Sequence, residues 1–206
     1  MRVILFDLSQ DVVDIWEYLM GVSCDDFMSL PVQPVIEGRD IRQLGLTRVQ
    51  SLLIQRWLTP NGSNTNWWIP PSMRVENENA IWSEHTKKRI AGQLPLLKNW
   101  SSSRGDFAEC PDIEAHWHID PPYQFNAAAS AKYRTAPVDY ERLSGFCRSR
   151  RGDVTVHEGP GATWLPFERL PGKHMTARRH AGKAKTCQER VWTNDPRALA
   201  QKELFA

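Results

Sequence analysis

A short apolar run that stops on an acidic residue occurs twice in this sequence, and a helical pattern follows each time. Arg2 to Phe6 ends at Asp7. Ser9 stands in helix N-cap position, and Val12, Val13, Trp16, Leu19 and Met20 then recur at spacings that cover one helical face. Ala115 to Ile119 closes on Asp120, a helix is predicted over Asp139–Arg150, and Val154–His157 reads as the next strand. Arg190–Thr193 reads as the end of a late strand. Strands that alternate with helices specify an α/β sheet, because each strand must travel through a helix before its parallel neighbour is laid down.

Between these two strand regions the pattern changes. Ser29 to Gly38 holds Pro31 and Pro34 and reads as a connection. Ile41 to Leu58 is helical in pattern, with Leu44, Val49, Leu52, Leu53 and Trp57 on the apolar side. Thr59 to Asn79 carries Pro60, Gly62, Pro70, Pro71 and several Asn around Trp67 and Trp68, which predicts an irregular loop with aromatics available for binding. A helix resumes near Ser83 and runs to about Trp100, with Pro95 as a kink or break, and Ser101 to Asp112 is polar and looplike. The expected architecture is a Rossmann-like sheet with a helical, Trp-rich insertion between two of its strands.

At 206 residues the chain can bury a sizeable core. No apolar run reaches the roughly 18 residues of a membrane span, and the MRVILFDLSQ start has an acidic residue inside its apolar run, unlike a signal peptide. The four cysteines (Cys24, Cys110, Cys147, Cys187) form no CxxC pair, so free thiols in a reducing cytoplasm and no membrane partner are expected. The formal net charge of +2 hides a gradient: from Tyr140 to Arg190 eleven Lys/Arg face five Asp/Glu, a local excess of +6. A basic region of that kind attracts polyanions, of which nucleic acid is the commonest; the plain alternative is a solvated surface.

The chemistry concentrates in Asp120-Pro121-Pro122-Tyr123, which follows an apolar strand. Open α/β sheets bind ligands at the carboxyl ends of their strands. The cluster suits methylation of an exocyclic amino group on a base, a poor nucleophile because its lone pair is delocalised into the ring. Asp120 supplies a carboxylate to accept one N–H, and Pro121, with φ fixed, presents its carbonyl stiffly to accept the other. Tyr123 offers a flat face for an extruded base, worth on the order of 1–3 kcal/mol. The same residues would also serve as a rigid turn with the Tyr merely packed. His116 and His118 share a strand face, but no third ligand lies near in sequence, and no metal site is expected.

These residues resemble the phage and bacterial DNA adenine methyltransferases of the Dam-like type, which use S-adenosylmethionine and carry a DPPY motif. VILFDLSQDVVDIWEYL looks like the second sheet strand and following helix of that family, which implies that Asp7 binds the cofactor ribose. EAHWHIDPPY resembles the catalytic strand, with His118 where an aromatic is more usual, and implies catalytic roles for Asp120, Pro121, Pro122 and Tyr123. DYERLSGFCRSRRGDVTVHEGPGATWLPF is similar to the next helix and strand, with Glu158, Gly161, Ala162, Trp164, Leu165, Pro166 and Phe167 filling an acidic position and a GA-WLPF string. Trp164 and Phe167 there suit core or pocket wall, Phe125 is a weaker aromatic candidate, and ERVWTND resembles a late strand. The resemblance implies a partial catalytic domain from residues 1–30 and 113–206, with 31–112 as the DNA target-recognition insertion. Double-stranded DNA is the implied partner. Ser in the first motif position is more usual in cytosine-N4 enzymes, so Asp120 favours adenine.

One expected part has no counterpart here. The family carries an FxGxG-like turn after its first strand, upstream of the position of Asp7, and only six residues precede Asp7. In that family the first strand lies between the second and the catalytic strand, so its loss leaves two strand edges in need of partners. The expectation is therefore the larger C-terminal part of a methyltransferase, from a truncated or misassigned reading frame, or one half of a split enzyme whose second chain supplies the strand. The competing expectation is a catalytically inactive, methyltransferase-derived protein that binds DNA through its basic half.

Overall fold

A computed structural model describes residues 2–32, 38–58, 67–68, 82–125, 138–169 and 189–195. The chain divides into two compact units, Met1–Asp106 and Phe107–Ala206. It is a mixed α/β protein with two small sheets.

In the first unit, β1 (Val3–Asp7) runs parallel to β2 (Trp100–Arg104), in the register Val3 to Trp100 through Asp7 to Arg104. The helical middle of the sequence is the crossover that this parallel pairing requires. It contains α1 (Gln10–Gly21), α2 (Cys24–Met28), α3 (Arg48–Leu58) and α4 (Glu84–Ala91). The helical stretch expected from Ile41 is split: a 3-10 turn, Ile41–Gln43, precedes Gly45, and α3 begins only at Arg48. The stretch expected from Ser83 to Trp100 also divides, with α4 ending before Gly92 and a 3-10 segment, Leu94–Asn99, carrying Pro95 in its first turn, where the missing N–H costs nothing.

Ser101–Asp112, expected as a loop, instead supplies most of β2 at its start. Its sequence, Trp-Ser-Ser-Ser-Arg, has no apolar alternation, and the backbone ladder to β1 holds it extended. β1 therefore finds its partner in β2. The loop expected at Thr59–Asn79 lies outside the described residues except at Trp67 and Trp68. There the Trp67 carbonyl accepts the Ile41 N–H at 3.0 Å, and Trp68 bridges Asp40.

The core of this unit gathers Phe27, Leu30, Ile41, Leu52, Leu53, Ile54, Leu58 and Trp82. Two polar groups are taken into it with their bonds made. The Trp82 indole donates to the Pro31 carbonyl at 2.7 Å. Lys87, only 2% exposed, donates to the Met28 and Leu30 carbonyls at 2.7 and 2.5 Å and pairs with Glu84 at 3.0 Å. A buried ammonium is tolerated only with partners of this kind, and here it closes the turn that leaves α2.

In the second unit the strand order is β3-β4-β6-β5, with β3 (Trp117–Ile119), β4 (Val154–Glu158), β5 (Glu168–Arg169) and β6 (Arg190–Thr193). β3 and β4 are parallel, and β6 runs antiparallel to both β4 and β5. α5 (Tyr140–Ser149) is the described helix between the parallel pair. Asp139 caps it by accepting the Arg142 N–H at 3.0 Å. Its Leu143 and Cys147 pack on Val154 and Val156 of β4, and burial pushes the Cys147 thiol up to about 12, so it is an inert core group. Gly152 sets the approach of the two parallel strands. Its φ is +90°, and a Cβ there would come within 2.2 Å of the Ala115 carbonyl oxygen. No helix among the described residues is long and apolar enough to cross a membrane.

Replacing Lys87 with Met keeps the volume but leaves two buried carbonyls without a donor. Lys87→Met should lower the stability of the first unit by about 2–4 kcal/mol, measured by denaturant unfolding.

Candidate functional site

β3 carries the chain to Asp120 at its carboxyl end, and Pro121–Phe125 form the loop beyond it. The parallel neighbour β4 ends at the same edge of the sheet on Glu158, and Gly159–Pro160–Gly161 turn away from it. The two loops meet over this edge. Their meeting is dictated by the strand pairing, since parallel strands deliver their carboxyl ends side by side.

Asp120 is open to solvent on one side, while enough protein crowds its carboxyl to change its titration. Desolvation pushes its pKa above the ordinary aspartate range. The neighbouring imidazoles of His157 and His118 pull it down, and the charge of Glu189 pushes it up. His118 of β3 and His157 of β4 lie ring to ring, with centroids 4.9 Å apart. His157 Nδ1 stands 3.8 Å from Glu189, which immediately precedes β6.

Tyr123 is half-buried and fixed at both ends. Its hydroxyl donates to Glu189 Oε1 at 2.8 Å. Its ring lies against Gly159, where an added Cβ would come 3.0 Å from Cδ2, so a larger residue there would require the ring to shift. Pro122 is held through its carbonyl, which accepts the Tyr140 hydroxyl at 2.6 Å. Burial, and then the charge of Glu158, raise the Tyr140 pKa, which keeps that hydroxyl a donor. Among the described residues no donor reaches the Pro121 carbonyl. Phe125, 65% exposed, extends from the same loop over Gly161.

Glu158 is fully buried, and its carboxylate accepts from both loops: the Gln124 N–H at 3.1 and 3.3 Å, the Gly159 N–H at 2.7 Å and the Trp164 indole at 2.8 Å. Trp164 in turn packs on Tyr140 and Phe167, with centroids 5.6 and 5.0 Å away. Both Trp164 and Phe167 are partly buried and pack against the core of this unit.

The predicted site residues fall in both units. Asp120, Pro121, Pro122 and Tyr123 belong to the second, in one loop over the sheet edge. Asp7 belongs to the first, at the carboxyl end of β1, where its Oδ1 accepts the Ser9 N–H at 2.7 Å. Ser9 occupies the N-cap position of α1 but makes no side-chain capping bond. Of the basic stretch, Lys173, Arg178, Arg179, Lys183 and Lys185 lie outside the described residues. Arg142 and Arg148 are exposed on α5 but lie over the rings of Phe107 and Trp192, at 5.0 and 5.8 Å, and Arg150 lies over the Phe146 ring at 4.4 Å. Among the described residues no group of three His, Cys, Asp or Glu has the geometry to hold a metal ion.

Sequence reasoning missed the part played by Glu189, which no motif marks and which reaches Tyr123 only through the pairing of β6 with β4. It also missed Tyr140, which reads as an ordinary first-turn helix residue.

The raised pKa of Asp120 has a thermodynamic consequence. Its ionisation is harder in the folded state than in the unfolded one. The stability it contributes is thus complete below the unfolded aspartate pKa and is lost as pH rises through the folded value. Asp120→Asn should therefore melt higher than wild type near neutrality. The difference should vanish below the ordinary aspartate range, as followed by melting temperature against pH.

Compared with known proteins, the sequence matches no protein-family model and no curated sequence.

Proposed function

We propose that this chain carries the catalytic residues of a DNA adenine-N6 methyltransferase that uses S-adenosylmethionine. The observation that carries the reading is the setting of Asp120: a partly desolvated carboxylate at the carboxyl end of a parallel strand, in one loop with an aromatic ring whose hydroxyl is held by Glu189. A carboxylate kept where its charge is disfavoured costs stability, and such groups concentrate at sites that perform chemistry.

In this reading Asp120 accepts one N–H of the target amino group and the Pro121 carbonyl accepts the other. The two acceptors draw the nitrogen toward tetrahedral geometry and free its lone pair. Among the described residues no donor reaches the Pro121 carbonyl while that of Pro122 is taken by Tyr140, which supports that division. Tyr123 presents its ring to the extruded base, and its bond to Glu189 keeps the ring from turning as the base arrives. The proton released from the amino group passes to Asp120, beside which His157 and His118 stand.

Asp7 suits the ribose of the cofactor. One carboxylate oxygen is occupied by Ser9, and the other remains to accept from a ribose hydroxyl. The cofactor supplies an electrophilic methyl group on a sulfonium. Double-stranded DNA is the substrate, and Arg142 and Arg148 are exposed cations suited to its phosphates.

The test is methyl transfer to unmethylated DNA by the chain, alone and together with the glycine-bearing segment of a Dam-like enzyme supplied in trans. Asp120→Ala should reduce transfer by at least about 10²-fold while leaving DNA affinity unchanged. DNA binding with no transfer under either condition would favour the inactive, DNA-binding alternative. Calorimetry should show one site for S-adenosylmethionine, weakened by Asp7→Ala.

A further inference from the structure

The Glu158 carboxylate is wholly buried, at the end of the strand next to the catalytic one, and is not itself part of the DPPY string. Burying a charge is expensive, and an apolar side chain of similar volume would often serve stability as well. What an apolar side chain lacks is an acceptor with two oxygens and room for several donors. Both oxygens of Glu158 are used. Oε1 takes Gly159 and Gln124, while Oε2 takes Trp164 and shares the Gln124 N–H.

Each of these donors bears on Tyr123. The Gln124 N–H belongs to the peptide that follows Tyr123, so fixing it fixes the plane from which the ring projects. Gly159 is the residue on which the ring rests. Trp164 packs against Tyr140, whose hydroxyl holds the Pro122 carbonyl on the other side of Tyr123. A further link ties the same loops, since the Gln124 side chain accepts the Thr163 N–H at 3.2 Å. The connections close a circuit from Glu158 through Gln124, Pro122, Tyr140 and Trp164 back to Glu158.

We propose that Glu158 is a positioning residue for the reaction: its carboxylate holds the Asp120–Phe125 loop to the Gly159–Trp164 turn and so sets the ring on which the base stacks. The link to catalysis rests on the methyltransferase reading above, whereas the anchoring of the loop does not.

The decisive variant is Glu158→Gln, which keeps the shape and one acceptor but replaces the other with an NH₂ group that cannot accept. Two readouts are taken on the full chain. Amide hydrogen exchange should quicken at Gln124 and Gly159 by at least about tenfold, with α1 to α4 unchanged, because only local opening is eased. Methyl transfer should lose about 10²-fold in kcat, with KM for the cofactor held, since misplacing a reacting group costs rate rather than binding. Glu158→Asp, which restores two acceptor oxygens on a shorter stem, should recover part of both. Trp164→Phe removes a single donor, and should shift exchange at Gln124 and Gly159 in the same direction by less. Unchanged exchange at Gln124 and Gly159 in Glu158→Gln overturns the anchoring. Quickened exchange with full kcat overturns the positioning role. Absence of transfer by wild type would count against the methyltransferase reading, and the exchange readout would still decide for or against Glu158 as the anchor.

Discussion

Parallel strands cannot follow one another directly, because the chain must return to the starting end of the sheet before the next strand is laid down. That constraint decides where the acidic groups of this protein stand. Asp7 closes β1, Asp120 follows β3 and Glu158 closes β4, each at the carboxyl end of a strand with a parallel neighbour. Within the second unit, Asp120 and Glu158 therefore emerge side by side, one with a partly solvated carboxyl and the other sealed. Their environments, rather than their chemistry, separate their roles: the first can meet a ligand, and the second can only bind the protein's own backbone and indole.

The division between core and site follows the same logic in both units. Lys87 and Glu158 are charges taken inside and fully bonded, one to two carbonyls and a carboxylate, the other to two amides and an indole. Each ties together segments that side-chain packing alone would let slide. In the first unit this fixes the chain as it leaves α2. In the second it fixes a loop whose rings, Tyr123 and Phe125, stand at or near the surface.

Much of this was legible in the sequence. The apolar runs at Val3–Phe6 and Val154–His157 are strands, the run expected at Ala115–Ile119 shortens to Trp117–Ile119, and Asp139 caps α5 because its side chain reaches the Arg142 amide. β2 was illegible because three serines in a row carry no pattern, and its extended form comes from β1 alone. Asp120 could be picked out by its place after a strand, but not its raised pKa, which depends on packing. The Tyr123–Glu189 bond was equally hidden. It joins residues sixty-six positions apart, brought together only by the antiparallel return of β6.

The polar character of β2 has a second effect. An edge strand offers unpaired backbone groups to any other chain in solution, and long apolar edges are templates for aggregation. Among the described residues β2 is a rim of the first sheet, and Ser101, Ser103 and Arg104 present a short, hydrophilic, charged face there. The residues that conceal this strand from a reading of hydrophobic pattern also make it a poor seed for cross-chain pairing.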